Sequence, residues 1–545
     1  QRPNIFPDLG RGGMLGFRCR GRTGLQAAGF LLARALLDSR TLCSAVFAGP
    51  FAAESQHKGT RLKVVSWNVA AVNNNPFEYW ITHPNPAYKE LMESVEKFII
   101  TPGEEDVRVD QLFTDAMFRR VISRMEEAGF QGLRQVEGMW ESTYRSRRVV
   151  SEFLRDAEIG KKRLASMPDR VTNTIQLPTG ASAFRPAIGN CYAGKFATLE
   201  EWFEQWLAFF FDQKVDVDGK GERPTHSLLQ KIKRSKYPAV TEEEEAVSIP
   251  LQLVLQGIFD AILVNLMQTR GGNTWQGLRT EICDSLNSRK NSRLLEILET
   301  TYKDADVVFL QEAGNQLVEL LKASRSDEYT VVLPRAYSAK RNQNSLMLLR
   351  SSLFSRPEEL DVPANGWEEG DLLIVKTAVA GAPVTLASFH GDTNGLLTMP
   401  MLSAVMDHLP TEALLFGMDA NTYERKSKST AHVLEFEQMY QKRNLRSCWG
   451  KVDPTRYTTF NARTYLQPQL NKAAKSTELA EKGDRNPKDF VLFTAHFAPG
   501  RVWRDNTGTG EYQEEMVFPT LDFPSDHAAL AVDLMFLEGG GKVEL

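Results

Sequence analysis

Apolar and polar positions along the chain fall into three regimes. A short β-branched run, LKVVSWNV at 62–69, reads as a strand that delivers Asn68 at its end, and NNNP at 73–76 breaks it. From about Trp80 to Lys303 the period becomes helical. Leu112, Phe113, Met117, Phe118, Val121, Ile122 and Met125 repeat every 3.6 residues. TLEE at 198–201 is a capping box, and the helix it opens carries an aromatic stripe, Trp202, Phe203, Trp206, Phe209 and Phe210, which reads as a packing face. Residues 249–267 are apolar but interrupted by Pro250, Gln252, Gln256, Asp260 and Asn265, a pattern for a buried helix rather than a membrane span. Residues 292–302 form one more amphipathic helix. This block offers no recognisable chemistry.

Strand patterns then return. ADVVFLQE at 305–312 is apolar and ends in a carboxylate. Residues 329–333, 345–349, 371–379 and 383–388 read as strands, the last running into FHGDTN at 389–394, and 399–409 reads as a helix. In LLFGMDAN at 414–421 the apolar run predicts a buried strand, Gly417 a turn that ends it, and Asp419 and Asn421, two apart, a pair pointing to one side. Beyond this, 430–440 reads as a helix, 456–461 as a short strand and 472–486 as a charged loop. KDFVLFT at 488–494 is a strand starting at Asp489, and Asp526-His527 precede a last strand. The organisation predicted is a leader or disordered extension at 1–60, a discontinuous α/β domain at 61–81 plus 301–536, a mainly helical insertion at 82–300, and a flexible tail at 537–545.

Composition narrows the chemistry. The chain has 545 residues, 42% hydrophobic and 25% charged, ordinary for a globular protein with two or more domains. A net charge of -4 gives no global basic field, which argues against avid binding of long duplex DNA. The five cysteines are scattered with no C-x-x-C, so neither a zinc site nor a disulfide framework is expected. The eight histidines are dispersed too, so a metal here should be a hard ion held by carboxylates. Residues 1–60 hold eight basic residues against three acids. That composition fits an organelle transit peptide, a poor secretory signal or a disordered extension, with an intracellular location the default. The first residue is Gln1, consistent with a fragment or a misread start, Met14 being an alternative.

Five landmarks occur in order: Ser66-Trp67-Asn68, Gln311-Glu312, Phe389-His390-Gly391, Gly417-Met-Asp-Ala-Asn421 and Ser525-Asp526-His527. In this the chain resembles the endonuclease/exonuclease/phosphatase superfamily, which includes DNase I, abasic-site endonucleases, deadenylases, inositol polyphosphate 5-phosphatases, sphingomyelinases and tyrosyl-DNA phosphodiesterases. The resemblance covers 61–81 and 305–536. It implies a four-layer α/β/β/α sandwich (DNase I-like) with a large helical insertion after the first core strand, a single Mg²⁺ or Mn²⁺, and hydrolysis of a phosphoester by an activated water. On that resemblance Glu312 is the main metal ligand, with Asn68 and Asp526 beside it. Asp419 orients or deprotonates the water, Asn421 donates to a phosphoryl oxygen, and His390 and His527 contact the phosphate from opposite sides. Asp489 fixes the His527 tautomer. Arg341, Asn344, Arg456, Asn461 and Arg463 lie on loops that could flank the site and bind substrate.

The chain also departs from the superfamily pattern. Asn68 and Glu312 are 244 positions apart (312 minus 68), and the His390 strand continues with Gly and Asp rather than Leu. A Tyr-rich segment and a Trp-Cys-Asp-Arg signature that mark two subfamilies are missing, so the subfamily stays open. The reading is a metal-dependent phosphodiesterase whose partner is a phosphoester substrate, nucleic acid or a nucleotide-like molecule first among the candidates. A phosphoinositide or lipid-headgroup hydrolase is the alternative, with the insertion as a membrane- or partner-docking element; a catalytically silent binding module is the third reading.

Overall fold

The computed structural model describes residues 59–537 apart from 218, 220, 364–365, 410–412 and 467–482. Nearly all of the leader at 1–60 and of the tail at 537–545, and most of the charged stretch at 472–486, lie outside the described residues. The end of that stretch, Gly483–Asn486, is a strand rather than a loop, because it pairs with Thr459–Arg463.

Two six-stranded sheets make the core. One runs in the order Phe497–Asp505, Ala529–Leu537, Gly59–Asn68, Val307–Ala313, Asn344–Arg350, Tyr329–Val332. The other runs Glu358–Glu359, Leu372–Val379, Ala382–His390, Leu414–Asp419, Asp489–Phe493, Arg446–Ser447. Strand residues alternate between faces, and both faces are buried. Val64, Phe309 and Met347 of the first sheet meet Leu386, Leu415 and Val491 of the second. On the outer faces Val65, Val308 and Leu310 pack on the helices Lys290–Thr300 and Asn315–Arg325. Leu414, Phe416 and Ala387 pack on Thr398–His408 and Val433–Lys442. Helix, sheet, sheet, helix is the sandwich expected from the sequence.

Gly417 departs from its predicted role. It sits inside the Leu414–Asp419 strand, paired with Ser388 and Val491, and does not end it. A Cβ there would lie 2.3 Å from the Phe309 ring of the facing sheet, so glycine is needed for the two sheets to close.

Between Asn68 and Val307 the chain is mainly helical. Its centre is Ser248–Gly271, a 24-residue helix long and apolar enough to cross a membrane by composition, yet 89% of its most apolar window is buried in the protein. Several of its polar residues find partners inside. Asp260 accepts from Arg185 Nε at 2.8 Å and from Trp206 Nε1 at 3.0 Å, and Gln252 Nε2 donates to Gln230 O at 2.9 Å. The aromatic stripe at 202–210 packs into the same core. Cys191 and Cys283 form a disulfide within the insertion, against the expectation from their spacing; folding brings together two cysteines 92 residues apart, which spacing alone does not reveal. The one exposed large apolar side chain among the described residues is Leu396, in the sandwich, and nothing in the insertion supports the partner-docking role expected of it.

Candidate active site

Period-two alternation aims the site. Asn68, His390, Asp419 and Asp489 each lie an even number of residues from an inner-face position, Val64, Leu386, Leu415 and Val491 respectively. Register then sets them side by side. His390 pairs with Asp419 across a parallel ladder, Asp419 with Asp489 across an antiparallel one, and Asn68 with Gln311 in the facing sheet. All four carboxylate, amide and imidazole groups therefore enter the gap between the sheets at one end. Gln311 Nε2 donates across the gap to Ser388 Oγ at 3.1 Å and ties the two sheets there.

Glu312 has the wrong parity, and a bulge corrects it. The Val307–Ala313 strand shifts register between Leu310 and Ala313, and Glu312 adopts φ +56°. Left-handed backbone is unfavourable for a residue with a Cβ and persists where surroundings enforce it. Here Asn344 Nδ2 donates to Ala313 O at 3.2 Å and to Arg341 O at 2.9 Å, anchoring the bulge.

The contacts form one network. Asn68 Nδ2 donates to Glu312 Oε1 at 3.1 Å and to Asp419 Oδ2 at 2.9 Å. Glu312 Oε2 accepts from the Ala71 N–H at 2.8 Å, and His390 Nε2 lies 3.2 Å from Glu312 Oε1 and 3.7 Å from Asp419 Oδ2. His527 Nδ1 is 3.0 Å from Asp489 Oδ2, and its Nε2 is 3.7 Å from Asp419 Oδ2. The His527 loop is held by Ser525 Oγ, which donates to Asn68 O at 2.7 Å, and by Trp67 Nε1, which donates to His527 O at 3.0 Å.

Charge follows geometry. Burial works against ionising Glu312, but the hydrogen bond and charge of His390, with the Ala71 and Asn68 donors, hold it well below the usual carboxylate range. Burial likewise disfavours a charged His527, yet Asp489 and Asp419 outweigh it and push the imidazole up to about 10. His390 is also raised, burial being overcome by Glu312 and Asp419. Glu312, His390 and Asp419 offer ligand atoms all within 4.8 Å of one another, as do Asp419, Asp489 and His527. Oxygen donors on an ionised carboxylate suit a hard divalent cation, so the donor set fits a metal of the expected kind.

Other expected residues sit differently. Asn421 turns out of the strand at φ +47°, and its Nδ2 donates to Gly391 O at 2.8 Å. Its backbone N–H donates to Asp419 Oδ1 at 2.8 Å, an Asx turn. It meets Asp419 through this turn and not through extended backbone, and its side-chain amide is engaged inside the protein instead of facing a phosphoryl oxygen. Asp526 lines the cleft with Glu312 and accepts from Asn461 Nδ2 at 3.0 Å, outside both groups of clustered ligands. Arg463 reaches the cleft, ion-paired to Glu78 and donating to the Tyr79 hydroxyl at 3.1 Å. Arg341 is turned to Asp371, Asn344 is fully buried, and Arg456 stacks on Trp449; none of the three lines the cleft, because each is engaged with the protein itself.

The cleft holds about 640 Å³. One wall comes from the sandwich and the loop at 70–79, the other from the insertion through Arg170, Arg185, Asp260 and Lys290. Sequence reasoning missed the insertion's share. Lys290 stands just ahead of the predicted helix at 292–302 with no local pattern that names a partner, and only the fold turns it inward.

With layers, strand order and edge cluster in place, the core can be placed among known folds. It is the four-layer α/β/β/α sandwich that the sequence resemblance implies. A family model described as a domain of unknown function (DUF8234) matches residues 106–280, within the insertion. No curated protein matches the chain. Among solved structures the chain is similar to D. rerio TDP2 complexed with single strand DNA product, at 18% identity and TM-score 0.32 over 46% of this chain and 92% of that one. It is also similar to the human Nocturnin catalytic domain with bound sulfate, at 14% identity and TM-score 0.32 over 46% and 86%. A third is ANGEL2 in complex with adenosine-2',3'-vanadate, at 12% identity and TM-score 0.30 over 45% and 85%. Likeness at this level does not bear on activity.

Proposed function

We propose that the protein is a metal-dependent phosphoester hydrolase, a phosphodiesterase acting on nucleic acid or a nucleotide-like substrate. The observation that carries the reading is the convergence of Glu312, His390, Asp419 and His527 at one edge of the sandwich, each within 3.7 Å of another member. The five landmarks in superfamily order support the same reading.

Hydrolysing a phosphoester requires an aimed water, relief of negative charge and a stabilised leaving oxygen. Asp419, its two oxygens held by the Asn421 N–H and the Asn68 amide, is fixed to accept a proton from that water. His527 is kept protonated by Asp489 and faces the phosphoryl group as a cation. His390 donates from the other side. Glu312 would hold Mg²⁺ or Mn²⁺, with Asp526 lining the same cleft. When bound, the ion supplies Lewis-acid polarisation of a phosphoryl oxygen. Asn421 positions Asp419 and closes the turn.

The test is a hydrolysis panel with Mg²⁺ and with chelator: single-stranded RNA, single- and double-stranded DNA, a phosphoinositide, sphingomyelin and bis(p-nitrophenyl) phosphate. Expected is chelator-sensitive cleavage of a nucleic acid or of the generic diester. Silence on all substrates from a folded protein that binds no Mg²⁺ would overturn the proposal, and cleavage of a lipid substrate alone would replace its substrate class.

A further inference from the structure

Four cationic and five acidic side chains line the cleft, and two of the cations have no ion pair within 4.0 Å among the described residues. Arg463 is paired with Glu78. Arg185 is paired with Asp169 at 2.6 Å and Asp260 at 2.8 Å. Glu312 and Asp526, whose charges act on Lys290, are the acids that the hydrolase reading gives to a metal ion. Two cations remain: Lys290 at the start of Lys290–Thr300, the helix that leads from the insertion onto the outer face of the first sheet, and Arg170 on Ser166–Thr172 within the insertion.

Lys290 is 4% exposed, and the hydrogen bond its ammonium makes is to Pro524 O. An ammonium carries three donors, and burying one with a single neutral acceptor is costly unless an anion joins it. No ion pair within 4.0 Å involves it among the described residues. Arg170 lies exposed at the rim and has no hydrogen-bond or ion-pair partner among the described residues. The Thr174 hydroxyl lines the same cleft, buried and without a partner. Lys290, Arg170 and Thr174 thus bring donors from both sides of this junction to a space beside Glu312. Phe259, Leu263 and Leu286 give the same wall an apolar surface suited to a ring or a base.

We propose that the cleft holds a second anion subsite at the junction of insertion and sandwich, in which Lys290 and Arg170 bind a phosphate group of the substrate other than the one that is hydrolysed. The inference rests on the hydrolase reading and deepens it. The substrate is a compact molecule or strand end carrying at least two phosphate groups, because a cleft of about 640 Å³ walled by the insertion is of small-ligand size. Lys290 and Arg170 are specificity determinants here, and the hydrolytic groups remain those of the sandwich.

The test is equilibrium binding to the full chain by calorimetry, with Mg²⁺ present. The probes are adenosine 5'-monophosphate, adenosine 3',5'-bisphosphate and a ten-nucleotide single strand. Expected for the wild type is at least tenfold tighter binding of the bisphosphate than of the monophosphate. In Lys290→Gln and in Arg170→Gln that advantage falls below threefold, while Mn²⁺ affinity, read by electron paramagnetic resonance, is unchanged. A merely structural Lys290 would weaken both nucleotides and the metal together. Should Lys290→Gln fail to fold, the exposed Arg170→Gln decides alone. A matching loss with the oligonucleotide assigns the second phosphate to a strand end; loss confined to the bisphosphate assigns it to a small molecule. Equal or absent binding of the two mononucleotides by the wild type, or variants that keep the full advantage, overturns the subsite. A wild type that discriminates the bisphosphate yet hydrolyses nothing on the panel would sink the hydrolase reading and leave the subsite standing.

Discussion

Replacing Asp489 by Asn tests how the site keeps a charged histidine in a buried place. His527 Nδ1 lies 3.0 and 3.2 Å from the two Asp489 oxygens, and both residues are buried. At 3.0 Å a charge pair is worth about 5 kcal/mol with an effective dielectric of about 20. A tenfold change in a proton equilibrium is about 1.4 kcal/mol, so this interaction, together with that of Asp419, outweighs the burial that opposes a charged imidazole. The amide of Asp489→Asn would keep the shape and remove the charge. Asp419, 3.7 Å from Nε2, remains but also serves the attacking water. The imidazole, now held up to about 10, should then lose its proton near or below the free value of 6.5. Expected is a fall in kcat/KM of about 10²–10⁴-fold at pH 8, in line with losing a positioned proton donor. The wild-type rate should hold to about pH 9, while the variant declines above about pH 6 to 7, each following its own imidazole. The assay is Mg²⁺-dependent hydrolysis of the best panel substrate between pH 5 and 10, with circular dichroism as the fold check. A folded Asp489→Asn protein with wild-type rate and pH profile would refute the pairing as a functional device.

Four further outcomes follow from the same structure. Glu312→Gln should weaken Mn²⁺ binding by at least tenfold while the protein stays folded, read by electron paramagnetic resonance and circular dichroism. Because Glu312 titrates lower folded than unfolded, it contributes stability that is fully present above about pH 4.5 and is lost as pH falls below it; melts from pH 7 to 3 should show the wild type losing its advantage over Glu312→Gln in that window. Arg185→Ala should cost about 3–5 kcal/mol by leaving Asp260 and Asp169 buried without their partner, measured by urea denaturation. Reducing the Cys191–Cys283 link, which closes a loop of about 92 residues, should cost about 4–5 kcal/mol on the loop-entropy account, read as a lower denaturation midpoint with dithiothreitol.

Legibility in the sequence tracked how local the physics is. Strands carry period-two alternation in their own residues, so Asn68, His390, Asp419 and Asp489 could be placed at strand ends from the chain alone, and parity sends them into one gap. Glu312 could be recognised by its place in the landmark order, but its bulge depends on Asn344 and on pairing with a strand some thirty residues away. Gly417 read as a turn because glycine after an apolar run usually is one; its real cause, the Phe309 ring, belongs to the other sheet. Asn421 was expected to face a phosphoryl oxygen through extended backbone, whereas the Asx turn spends its amide on Gly391. Lys290, Arg170 and the disulfide were illegible for one reason: each acquires meaning from a residue far along the chain, and nothing in the local pattern encodes that meeting.

The most direct test of the hydrolase reading is the Mg²⁺-dependent rate of bis(p-nitrophenyl) phosphate hydrolysis by wild type and by Asp419→Asn, with and without chelator. Expected is a wild-type rate that chelator removes and that Asp419→Asn lowers by at least 10²-fold while the protein stays folded. Equal rates for the two proteins, or a wild-type rate indifferent to chelator, would contradict it.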